Sequence, residues 1–324
     1  GTAGTGGGTA GTGGGTAGTG GGTAGTGGGT AGTGGGTAGT GGGTGGGTPG
    51  GGTITIANLR ASTPCEARYV LENVVVVSVE TVLQGTGGDY RAWFWVVDQN
   101  NPGSGIYVEK FYTDTPTTYV PEVGHRVTLS GFLKTQPNFT DRLAYRPYFG
   151  SANSCAGQSG GLDIVLNGSA TVAPVSLAIG TFGNAVGGTA KPNPERAGGL
   201  VHLTGTAAIL DANPTALHRV SAAGSADPVH FGFEVTGGVL VHNGATYFRD
   251  GGVCDWRGMT NDGGTVTLPN GLTGVWDTYS HAPCADGGTS NSCFRGPGGV
   301  PGTANDFTYV LYPRTCDDIP GNVQ

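Results

Sequence analysis

Residues 1–42 are six perfect copies of the heptad GTAGTGG, and the stretch GTGGGTPGGG continues the same composition to residue 52. Apart from Pro49, no side chain here is larger than Thr, so the segment has nothing with which to form a hydrophobic core. Holding it in one conformation would cost on the order of 50–100 kcal/mol of backbone entropy, and Gly is the most expensive residue to fix. What can offset that is main-chain hydrogen bonding and close main-chain packing against other chains. Two geometries qualify: extended strands that add to a neighbour's sheet edge, and bundled polyproline-II-like helices. Seven is odd, so a strand presents its Thr and Ala on opposite faces in successive copies. Fully extended, the tail reaches ~170 Å. As a flexible stalk it spans about 40 Å. Since packing against other chains is what can order such a tail, we expect self-assembly into a filament with the tail as the element between subunits; the competing expectation is a surface-anchored binding module on a stalk.

The remaining 272 residues suffice for two domains, expected at 53–160 and, after a linker, within 161–324. Charged residues are 11% of the chain and stretches rich in Leu, Glu and Lys are missing, which is the composition of short strands and turns. The formal charge of −7 offers no basic footprint to a phosphate backbone, so nucleic acid is not expected as a partner. Only Lys110, Lys134 and Lys191 are lysines, and the bias toward Gly, Ala, Arg, Pro and Val fits a GC-rich bacterial genome. No apolar run approaches the ~18 residues of a membrane span. A chain beginning at Gly1 is expected to be a processed, secreted form.

The six cysteines, Cys65, Cys155, Cys254, Cys284, Cys293 and Cys316, include no C-x-x-C pair. An even count in a Lys-poor, Gly-rich chain fits disulfides in an oxidising compartment, and therefore an extracellular or cell-surface location. Their spread suggests the pairings Cys65–Cys155, Cys254–Cys316 and Cys284–Cys293, although spacing alone does not decide connectivity.

Strand-like runs begin at Thr53-Ile54-Thr55-Ile56 and recur at residues 69–79, 92–98, 105–108, 124–132 and 142–146. The last five fall within about ninety residues, a density that suits a small barrel. Turn signals separate them at Gly87-Gly88-Asp89, Asn101-Pro102-Gly103 and Gln136-Pro137-Asn138.

The ordered set Thr55-Ile56-Ala57-Asn58-Leu59-Arg60, Val74-Val75-Val76, Phe94-Trp95-Val96-Val97-Asp98, Gly105-Ile106-Tyr107-Val108 and residues 123–131 resembles the OB-fold modules of secreted bacterial nucleases and lipoproteins. Residues 195–205, 231–235, 271–276 and 309–319 look like a second, degenerate pass. The resemblance implies an all-β chain of two tandem OB-like small barrels behind the Gly-rich tail. In that family the modules bind or position other domains and carry no catalytic residues, so no enzyme activity, cofactor or metal is expected.

Individual motifs point the same way. Gly157-Gln158-Ser159-Gly160-Gly161 matches G-x-S-x-G, but no helical pattern follows, and it reads as an interdomain linker. His125, His202, His218, His230, His242 and His281 lack metal-ligand spacing. Asp317-Asp318 with Asp250 and Asp255 lack a calcium-loop pattern. Asn138-Phe139-Thr140 and Asn167-Gly168-Ser169 are sequons with little meaning in a bacterium. Trp93 and Trp95 share one face of their strand while Phe94 and Val96 take the other. With Phe94 inward, Trp93, Trp95 and Tyr107 would form an aromatic ledge that stacks sugars or buries a subunit contact, unless the second domain or an edge loop covers it.

Overall fold

The computed structural model describes residues 50–135, 147–182, 193–211, 218–219, 229–230, 232–242, 266–279 and 308–319. The chain is all-β. Strand β1 (Gly50–Thr53) ends where an expected strand would have continued. Thr55 instead accepts a hydrogen bond from the Asn58 amide and caps a five-residue helix, α1 (Ile56–Arg60), whose Ile56 and Leu59 are buried. The Ile56 N–H donates to Asp98 Oδ2 at 2.9 Å, a second N-terminal anchor.

Next come β2 (Arg68–Gln84), β3 (Tyr90–Asp98), β4 (Asn101–Lys110), β5 (His125–Lys134), β6 (Tyr148–Gly150) and β7 (Asp163–Ser169). β2 is long and rich in β-branched residues. Asn73 has φ of 55° within a register shift between Leu71 and Val74, and a second shift follows Val76. These bulges bend the strand, so its first half pairs antiparallel with β5 and its second half with β3. β3 pairs with β4, β4 runs parallel to β6, and β6 pairs with β5. The pairings therefore return to β2 in the ring β2-β3-β4-β6-β5, and β7 adds to β5. The expected strand at 142–146 lies outside the described residues; β6 supplies that place in the ring.

The second sheet is built from β8 (Val175–Ala178), α2 (Ile179–Phe182) beside it, β9 (Gly199–Thr204), β10 (Ala207–Asp211), β13 (Gly232–Val235), β14 (Val239–His242), β15 (Val266–Leu268), β16 (Leu272–Tyr279) and β17 (Thr308–Tyr312). A short pair, β11 (His218–Arg219) and β12 (Val229–His230), stands apart. Gly205, with φ of +101°, separates β9 from β10. β9 pairs with β16, β10 with β13, β13 with β14, β14 runs parallel to β17, and β17 pairs with β16. Taken as one bent strand, β9 and β10 play the part of β2, and the order of the first ring recurs.

Each sheet has its own core. Val74, Phe94, Val96, Ile106, Leu129 and Phe149 fill the first together with Ile56 and Leu59 of α1. Val201, Leu203, Phe233, Val241, Trp276 and Leu311 fill the second, with Phe182 edge-on to Trp276 at 4.5 Å. From Thr53 onward the chain is one compact unit. A third cluster joins the lobes: Val77, Trp95, Val97, Tyr107 and Tyr148 from the first, and Leu200, Leu240, Val275, Val310 and Tyr312 from the second. Backbones also meet there. A Cβ placed on Gly199 would fall 2.3 Å from Gly103 C, and one on Gly105 would fall 2.1 Å from Gly198 O.

Candidate functional site

The residues singled out as a contact surface, Trp93, Trp95 and Tyr107, do face away from the first core, as strand alternation requires when Phe94 faces in. They do not form an exposed ledge. Trp95 is 1% and Tyr107 3% exposed, because the second lobe packs over them. The Trp95 ring lies 4.9 Å from Tyr107 and 5.1 Å from Tyr312, and its Nε1–H donates to the Asp277 carboxylate. Tyr107 donates its hydroxyl to Glu80 Oε1 at 2.9 Å. Burial, assisted by the Asp277 charge, pushes the Tyr309 phenol up to about 12, so it stays neutral. The surface expected to contact glycan is thus used between lobes.

Trp93, at the far end of the same face, is half-buried beneath the Arg91 guanidinium, 4.4 Å from its ring centroid. Arg91 also lies 4.7 Å from the Phe111 ring and 3.2 Å from Glu109 Oε2. Beside it, buried Lys134 donates to Asn153 O at 3.0 Å and sits 4.8 Å from the Tyr148 ring. Burial lowers the Lys134 ammonium below the usual lysine range, opposed by the Glu109 and Asp114 charges. Lys110 is buried too and donates to the carbonyls of Tyr90 at 2.6 Å and Thr117 at 3.0 Å. Both lysines are tied to main-chain oxygens, which suits fastening loops better than attacking a substrate.

An open concavity lies next to this cluster, a cleft of about 450 Å³ lined by Thr113, Asp114, Ser151, Ala152, Asn153 and residues 158–161. Residues 157–161, expected as an interdomain linker, are instead a wall of the first lobe. Ala152 donates to Gly160 O at 2.9 Å, and Gln158 Nε2 donates to Cys65 O at 3.2 Å and Glu66 O at 3.1 Å. The Cys65–Cys155 disulfide pins the same loop to the segment before β2. Strand β7, not a helix, follows Ser159, and none of the lining residues is a histidine, so the arrangement is no nucleophile elbow. Asp114 Oδ1 accepts from Leu162 N at 2.8 Å and Oδ2 from Phe111 N at 2.7 Å. Burial raises its carboxyl above the usual range, against the opposing pull of these two amides and of the two lysines. The cleft offers hydroxyls and amides for neutral hydrogen bonding. The G-x-S-x-G stretch marked one of its walls, but as a linker and not as part of a cleft; the other walls come from loops around residues 113 and 152.

The other marked residues serve the fold or lie elsewhere. His125 Nδ1 is 3.3 Å from the Tyr119 hydroxyl, His202 Nδ1 is 2.9 Å from Thr273 Oγ1, and His242 packs 4.8 Å from the Tyr312 ring. His218 and His230 face each other in backbone register between β11 and β12, and His281 lies outside the described residues. Asp318 is held by Arg314 at 2.7 Å; Asp250 and Asp255 lie outside the described residues. Among the described residues no group of three His, Cys, Asp or Glu could hold a metal ion, and no helix is long and apolar enough to cross a membrane. Asn167 donates to Asn73 Oδ1 and Thr128 Oγ1, whereas Asn138 lies outside the described residues. Cys316 is disulfide-bonded, while Cys254, Cys284 and Cys293 lie outside the described residues. No family model matches the chain, and neither a curated protein nor a solved structure matches it.

Proposed function

We propose that this protein is the structural subunit of a self-assembling extracellular bacterial filament, its two lobes forming a bead and its Gly-rich tail packing between subunits. The observation that carries the reading is the pairing of opposites in one chain. Six identical heptads without a bulky side chain precede a body whose aromatic face is used up internally, with Trp95 and Tyr107 buried between lobes. We read the lobes as tandem OB-like modules. The twice-repeated strand order, with one parallel pairing in each ring, supports this. In OB-folds the face of the second and third strands is the one that seats oligomeric ligands. The equivalent face here, on β3 and β4, is covered by the second lobe. The Cys65–Cys155 disulfide supports an oxidising compartment.

Electron microscopy of the purified full chain tests this: polymers are expected, and deletion of residues 1–48 should abolish them. Filaments that persist without the tail, or a full chain that stays monomeric at every concentration, would remove the proposal. The polar cleft favours a second reading, a surface-anchored module on a stalk. Under that reading the full chain stays monomeric and a small polar ligand protects residues 151–161 from hydrogen exchange.

A further inference from the structure

Strand β7 is paired with β5 along one edge, while its other edge meets Thr115 at its start and, among the described residues, no further main chain beyond it. Ile164 N–H donates to Thr115 O at 2.7 Å and Thr115 N–H to Leu162 O at 2.9 Å, so residues 162 and 164 direct their main-chain groups away from β5. Alternation along the strand sends the N–H and C=O of Leu166 the same way. There the contact with Thr115 has ended, and no main-chain partner meets Leu166 among the described residues. Val165 is 57% and Leu166 51% exposed, adjacent large apolar residues on a sheet edge. Edges of this kind are normally blunted by Lys, Pro or a covering segment, and residues 163–167 contain neither Lys nor Pro. The strand is also held in place. Asp163 is paired with Arg68 at 2.6 Å, and Asn167 donates to Thr128 Oγ1 at 2.8 Å.

We propose that the open edge of β7 receives the N-terminal heptads of a second copy of this chain as an added strand. The inference rests on the filament reading and deepens it by naming the acceptor. The occupant is argued from the tail itself. Residues 1–49 are uncharged, so the net charge of −7 does not repel them, and Gly, Ala and Thr clear the Val165 and Leu166 side chains while leaving every amide except that of Pro49 free to pair. Main-chain bonds then supply the affinity, as in other strand additions. An edge of this length engages only a handful of residues. Six heptads therefore offer more binding stretches than one body can occupy, and the surplus is available to other copies. Because the period is odd, identical face patterns recur every second heptad, which permits several equivalent registers along one tail.

The test uses the full chain with the photoreactive residue p-benzoylphenylalanine in place of Val165, mixed with an equal amount of isotope-labelled chain. The expected result is cross-linking from position 165 to peptides within residues 1–49 that carry the other chain's label. A second arm is Leu166→Pro, which removes an edge-facing amide that β5 does not use. It should lower the polymer fraction in sedimentation by roughly tenfold, whereas Leu210→Ser, altering an exposed residue on β10, should not change it. Polymers that form while position 165 links only elsewhere, or not at all, overturn the β7 assignment and leave the filament reading standing. Cross-links confined to the tail's own chain overturn it as well. If no polymer forms and no inter-chain link appears, both fall.

Discussion

Gly105→Ala tests how the two lobes are joined. A Cβ at this position would stand 2.1 Å from Gly198 O and 2.7 Å from both Gly198 C and Val96 O, where real contacts do not fall below 3.0 Å. All three atoms are backbone, so no side chain can turn aside. To clear Gly198 the lobes must separate locally by about 1 Å, and β4 must also shift against β3 to clear Val96 O; a gap of that size between lobes forfeits roughly a quarter to a half of the dispersion energy of each contact it opens. Ten buried side chains share the junction, and the Gly105 N–H to Ala197 O bond of 3.1 Å lies in the same place. The expected loss is about 3 kcal/mol, at the upper end of overpacking effects. Urea denaturation followed by far-ultraviolet circular dichroism measures it, and tryptophan emission should shift to the red as water reaches Trp95. Gly180→Ala is the control, because nothing lies within 4 Å of its Cβ and it sits in α2. A Gly105→Ala protein within about 0.5 kcal/mol of the parent, the ordinary range of surface substitutions, and with unmoved emission would show that the backbones do not meet as described.

Three further outcomes follow from the same geometry. Arg60→Ala removes donors to Gly105 O at 3.1 Å and Ala197 O at 2.9 Å, one on each lobe, and should cost about 2 kcal/mol in the same urea titration. Cys155→Ala opens a disulfide spanning 90 residues of sequence, which should cost roughly 4–5 kcal/mol; hydrogen exchange should show the loss first in residues 151–161. Burial raises the folded Asp98 carboxyl above its usual 3.8, opposed by the Ile56 amide. Its contribution to stability is therefore complete below 3.8 and lost as pH rises through the folded value. Asp98→Asn, which can keep the bond from Ile56 through its amide oxygen, should remove that part of the pH dependence of the urea midpoint and raise the midpoint at neutral pH.

How far the sequence was legible depended on where the information lay. The alternation of Trp93 and Trp95 against Phe94 and Val96 identified the two faces of β3, since period two is local. What covers the outer face was not local: Leu200, Leu240, Val275, Val310 and Tyr312 lie more than a hundred residues further on. A signal for it was nevertheless present. Val74 to Val77 and Ile106-Tyr107-Val108 are continuous apolar runs, and strands wetted on one side alternate, whereas strands buried on both sides do not. Leu200-Val201 and Leu240-Val241 repeat that signature in the second lobe, so a pairing of two-sided strands was open to inference where an exposed ledge was expected. The cleft left only the Gly/Ser stretch at 157–161 as a trace, because Thr113, Asn153 and Gly160 come together only through loop geometry around one disulfide. The linker reading of 157–161 failed for a related reason: Gly and Ser mark irregular backbone, and irregular backbone also builds walls. The tail lies at the opposite extreme. Its period is the plainest pattern in the chain, but a pattern without side-chain bulk specifies what may approach it rather than what it folds onto. Under the strand-addition proposal, what it approaches is the edge of β7, where Val165 and Leu166 are exposed.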